Sequence, residues 1–149
     1  MGFDLNGLNA TSERGEYFRN NNWYWRPLAN YVVDHCAVDP EDVWFYNSGH
    51  TVPAEQARAI ADTLDSLLAS GQVRAFAAEY ARLLAKLPDE QCDLCLGSGV
   101  RADETAQGTC NVCRGHGTVS AFARNYPFSV ENVREFADFC RHSGGFTIN

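Results

Sequence analysis

Apolar residues recur at helical spacing along much of the chain. Between Pro53 and Gly71 one stripe holds Ala57, Ile60, Ala61, Leu64, Leu67 and Leu68. That 3.6-residue period predicts a helix with one buried face, opened by Pro53 and ended by Gly71. A second stripe, Val73, Phe76, Ala77, Tyr80, Leu83, Leu84 and Leu87, predicts a helix over about 72–87, closed by Pro88. Only Ser70 and Gly71 separate the two, which makes them an antiparallel helical hairpin. Leu28, Tyr31, Val32 and Cys36 predict an earlier helix from Pro27, a residue suited to a first helical position. A last helix starts at the cap Ser129, with Phe128 before it and Val133 after it spaced as a hydrophobic staple. Val130, Val133, Phe136, Ala137 and Cys140 form its inner face, and Gly144 and Gly145 end it.

Strand signals are weaker. "FTI" at 146–148 is placed beside "FDL" at 3–5, and "TVSAFA" from Thr118 reads as a strand. A short turn is expected at "DPEDVWF", with Asp39 as cap and Pro40 as first residue, broken by "NSG" at 47–49. The predicted class is mainly α (α+β): a small helical core with minor strands. That core takes in residues 1–88 and 120–149, and residues 89–119 form an inserted module.

The module carries the clearest chemistry. "CDLCLGSG" from Cys92 is followed by "CNVCRGHG" from Cys110, so C-x-x-C-x-G-x-G occurs twice. A redox C-x-x-C stands alone beside a βαβ pattern, and disulfides are rare in a reducing compartment. Two knuckles instead supply four thiolates for one tetrahedral ion, with zinc the expected metal. Cys92, Cys95, Cys110 and Cys113 are the predicted ligands. Gly97, Gly99, Gly115 and Gly117 permit positive φ and close passage of backbone past sulfur. Four protein ligands leave no open coordination position, so the predicted zinc is structural.

These two segments resemble the C-x-x-C-x-G-x-G repeats of the cysteine-rich zinc domain of DnaJ-type co-chaperones, which carry four repeats and two zincs. They are also similar to the two-repeat anti-TRAP regulators of bacteria. Over 92–117 the resemblance implies one zinc. Across the chain, "MGFDLNG", "GEYFRNNNWYWRPL", "NSGHTV" and "FSVENVREFADFCRHSGGF" resemble segments of small proteins of bacterial and bacteriophage genomes. That likeness implies a compact unit of phage type.

Composition narrows the function. The chain has 149 residues, 45% hydrophobic and 12% aromatic, enough for a buried core. The formal charge is −7, and thiolates around one divalent ion make it more negative still. This argues against nucleic acid as a partner, because binding to a phosphate backbone draws its affinity from cations. No apolar run reaches membrane-span length, and "MGFDLNGLNATSERGEYF" lacks the layout of a signal peptide, so a cytoplasmic location in a bacterial or phage-infected cell is expected.

Three functional readings follow. The first is a non-enzymatic, zinc-stabilised binding or regulatory protein, a phage-type inhibitor or adaptor acting on a protein partner. The second is a small-ligand binder for a nucleotide-like molecule, using Arg19, Trp23, Trp25 and Arg26, because arginines beside aromatics recognise anions and flat rings. That reading competes with aromatics simply buried in the core. The third is a hydrolase using His50 with Ser48 and Thr51 nearby, although no orienting acid is identifiable. His35–Cys36 and Cys140–His142 would make a second metal site if they met.

Overall fold

The computed structural model describes residues 2–38 and 42–149. Along the chain run β1 (Gly2–Gly7), β2 (Tyr17–Asn21), α1 (Asn22–His35), β3 (His50–Val52), α2 (Ala54–Ala69) and α3 (Gln72–Lys86). Then come β4 (Glu90–Gln91), β5 (Val100–Ala102), β6 (Gln107–Thr109), β7 (Thr118–Val119), α4 (Val130–His142) and β8 (Phe146–Ile148). The turn expected to begin at Asp39 and Pro40 falls outside the described residues; a 3-10 turn covers Asp42–Phe45. The chain divides into two compact units, Met1–Ala81 with Tyr126–Asn149, and Arg82–Asn125.

The first unit is α+β. Its sheet has the order β2-β1-β8-β3, antiparallel throughout. Leu5 lies opposite Phe18 on one side and Ile148 on the other, and Val52 lies opposite Phe146. Alternation therefore sends Phe3, Leu5, Phe18, Val52, Phe146 and Ile148 into the core. Asp4, Asn6, Tyr17, Arg19, Thr51 and Thr147 remain at least partly open to solvent, the usual arrangement of an antiparallel sheet solvated on one face. The final strand pairs with β1 as the pattern suggests, but its partners are Leu5, Asn6 and Gly7 rather than residues 3–5. A mainly helical class therefore understates the strands, because this four-stranded sheet forms one wall of the core.

Phe136 of α4 sits at the centre of that core. Its ring meets Trp25, Trp44 and Phe146 edge-on at centroid distances of 5.8, 6.2 and 6.1 Å. Edge-to-face contact of this kind suits the quadrupoles of aromatic rings. α2 and α4 pack together, and Arg141 at the end of α4 reaches Asp62 and Asp65 of α2 at 2.9 and 2.6 Å.

Helix α1 departs from expectation. It starts at Asn22, five residues before Pro27, because the Asn21 side chain accepts the Tyr24 N–H at 3.0 Å and caps it there. Pro27 lies inside the helix with its ring buried. α2 has Pro53 as its N-cap, and the Ser129 hydroxyl accepts the Asn132 N–H to cap α4. On α3 only Val73 is fully buried; Phe76 and Tyr80 are half-buried against Phe128, while Leu83 is exposed. The segment "TVSAFA" is strand only at Thr118–Val119, after which a 3-10 turn takes Phe122–Asn125.

Candidate metal centre

The second unit is two copies of one device, eighteen residues apart in sequence. The first repeat lies between β4 and β5, and the second lies between β6 and β7. β4 pairs with β7 and β5 pairs with β6, so each repeat is clamped by a strand of the other. The registers match as well: Gln91 faces Thr118 as Thr109 faces Val100. The Cys92 N–H donates to the Gly117 carbonyl at 2.9 Å, and the Cys110 N–H donates to the Gly99 carbonyl at the same distance.

The backbone of the knuckles explains their sequence. Leu96 and Arg114 both adopt φ of 52°, and the glycines at 97, 99, 115 and 117 all lie between 74° and 88°. Such left-handed positions favour glycine. Gly99 and Gly117 carry a second constraint: a Cβ on Gly99 would collide with the Gly115 carbonyl, and one on Gly117 with the Gly97 carbonyl. The tight turns aim backbone N–H groups at sulfur. Gly99 donates to Cys95 Sγ and Gly117 to Cys113 Sγ, each at 3.3 Å.

All four sulfurs are buried and lie within 4.8 Å of one another, close enough to hold one metal ion. Cys95 and Cys113 are 3.6 Å apart, and Cys92 and Cys110 are 3.9 Å apart. The surroundings already favour thiolate at some of these positions. Burial opposes ionisation of Cys95, but the Gly99 N–H and the neighbouring thiols outweigh it and pull the group down to about 6. At Cys92 the Cys95 N–H favours the anion, yet burial and the thiols of Cys95 and Cys110 push it up to about 11. A cation shared by the four would ionise them together, since metal ligation requires deprotonated thiol.

Comparison with known proteins gives no likeness. No family model, curated protein or solved structure matches this chain. What the site does therefore rests on its own chemistry.

The other predicted residues fare differently. Of Arg19, Trp23, Trp25 and Arg26, three stay exposed and Trp25 enters the core. Trp25 is 0% exposed, stacked on Phe3 and Trp44, with its Nε1–H donated to the Trp44 carbonyl at 2.7 Å. Trp23 packs its ring on Tyr126, Arg26 bonds the Asn22 side chain, and Arg19 pairs with Asp4 across β1 and β2. Trp23 and Trp25 would share a face only in an extended segment, and they lie on a helix instead. His50 is on β3 beside Ile148, and among the described residues no acid is hydrogen-bonded to it. His35 Nδ1 lies 2.9 Å from the Tyr31 carbonyl, and His142 lies near Thr11 and Asp138. Among the described residues Cys92, Cys95, Cys110 and Cys113 are the one group of three or more ligating side chains close enough to hold a metal, so the ends of the first unit do not build a second site.

Sequence reading passed over Leu94, Val112 and Phe122, apolar residues exposed beside the centre. Their signal was available: Leu94 and Val112 occupy the same x position in the two knuckles, where nothing in ligation requires an apolar side chain. Among the described residues no helix is long and apolar enough to cross a membrane.

Proposed function

We propose that the protein is a non-enzymatic binding or regulatory protein whose 82–125 unit is held by one structural zinc ion, and that it acts by docking on a protein partner. The carrying observation is the closed cluster of four buried sulfurs. Zinc–sulfur bonds of about 2.3 Å in a tetrahedron put sulfurs about 3.8 Å apart. Separations of 3.6 and 3.9 Å for two of the sulfur pairs match that spacing, and all four sulfurs lie within 4.8 Å. Four protein ligands leave the ion no position for water or substrate, so its contribution is to shape. Cys92, Cys95, Cys110 and Cys113 would hold the ion, and the Gly99 and Gly117 N–H groups would steady two of the sulfurs. A reducing cytoplasm suits thiols that are all free.

Elemental analysis of the purified chain should find one zinc per molecule, and Cys110→Ser should lose most of it. A screen of esters, phosphoesters and peptides should give no turnover. Hydrolysis abolished by His50→Ala would overturn the reading, as would spectra of a cobalt-substituted chain that show a coordinated water.

A further inference from the structure

Beside the metal centre, within the 82–125 unit, a groove of about 620 Å³ is open to solvent. Leu94, Val112, Val119 and Phe122 give it an apolar floor, and Glu90 and Asp93 stand in its lining with no Lys or Arg among them. Phe122 is 57% exposed, Val112 55% and Leu94 45%. Keeping such side chains in water costs about 25 cal/mol for each Å² of apolar surface left unburied.

The internal repeat supplies a control for what the metal needs. Shifting each groove residue by the eighteen-residue repeat gives its structural counterpart in the other half. Glu90 becomes Gly108, Asp93 becomes Asn111, Val119 becomes Arg101 and Phe122 becomes Glu104, while Leu94 and Val112 exchange with each other. The second half places its two sulfurs in the cluster with no carboxylate at the positions of Glu90 and Asp93 and no apolar side chain at those of Val119 and Phe122. Glu90, Asp93, Val119 and Phe122 are therefore not demanded by ligation or by the strand pairing. Both faces keep the framework and share Leu94 and Val112, and one of them adds Val119 and Phe122 beside Glu90 and Asp93.

Resting on the binding-protein reading above, we infer that this groove takes a short extended segment of a partner protein in which apolar side chains are flanked by lysine or arginine. The apolar residue would cover Leu94, Val112 and Phe122. The cation would face Asp93 and Glu90. The volume falls within the range of natural binding clefts. Charge complementarity of this kind selects among partners and weakens with salt.

The test uses the zinc-loaded full chain and two fluorescent hexapeptides, one alternating leucine with lysine and one alternating leucine with glutamate. The lysine peptide should bind, lose affinity several-fold between low and physiological salt, and shift the amide resonances of Asp93, Leu94, Val112 and Phe122. Phe122→Ala should weaken it at least tenfold with zinc content unchanged. Asp93→Lys should weaken it similarly and narrow the gap between the two peptides. Equal binding of both peptides to the unmodified chain, or shifts confined to other residues, overturns the groove. If neither peptide binds but a purified partner does, and Phe122→Ala leaves that complex intact, the groove is wrong while the binding-protein reading stands. Turnover through His50 would remove that reading itself.

Discussion

At the scale of single residues, the constraints are steric and electrostatic, and each predicts a number. Gly99 is left-handed and pressed against the Gly115 carbonyl. Alanine there costs about 1–2 kcal/mol in backbone conformation alone, before the collision is counted. Gly99→Ala should therefore weaken metal binding at least tenfold in competition with a chromogenic chelator, about 1.4 kcal/mol. Cys36 gives a pH dependence. Burial pushes its thiol from 9.0 up to about 11. Below pH 9 both folded and unfolded chains hold this proton and stability is level. Between pH 9 and 11 the unfolded chain releases it first, so stability falls and the loss is complete above the folded value. Burial drives the Cys140 thiol the same way. Urea midpoints from pH 8 to 11 should decline less steeply in Cys36→Ala than in the parent chain. The cluster of four cysteines was legible because the spacing of C-x-x-C pairs is itself the chemistry. The Trp25 environment was not, because whether an indole fills a core or lines a cleft depends on which strands meet it.

At the scale of elements, helix ends decide most boundaries. Arg124 reaches back to the end of α3, donating to the carbonyls of Leu84 and Leu87 and pairing with Asp89 at 2.8 Å. The Leu84 carbonyl also accepts the Leu87 N–H at 3.3 Å, and Arg124 adds a donor where the helix runs out of its own. Arg124→Ala should cost about 1 kcal/mol and speed hydrogen exchange in the last turn of α3, read residue by residue. Arg124→Lys should recover only part of this, because an ammonium lacks the planar fork that serves several acceptors together. α2 and α4 were readable since their caps, Pro53 and Ser129, directly precede strong apolar stripes. The start of α1 was hidden. Its cap, Asn21, is also the last residue of β2, and a run of three asparagines beside aromatics has no single period. β1, β3 and β8 span three to six residues, too short for alternation to stand out until they pair.

At the scale of the whole molecule, the two units are stabilised differently. The first has an aromatic and aliphatic core of its own. The second has a core of four cysteines with Val119 packed against it, so little apolar burial would hold it without a bound ion. Chelation should abolish slow hydrogen exchange across 82–125 and preserve the near-ultraviolet circular dichroism of Trp25 and Trp44. Structural zinc contributes about 10–16 kcal/mol in isolated fingers, enough to account for such a unit alone. The order of the sheet carries a consequence for biosynthesis. β8 lies between β1 and β3, so the sheet stays open until Phe146 to Ile148 have left the ribosome. The cysteine knuckles, by contrast, are complete within one contiguous stretch translated earlier, and local contacts close fastest. A nascent chain should therefore capture its metal while the aromatic core is still waiting for its last strand.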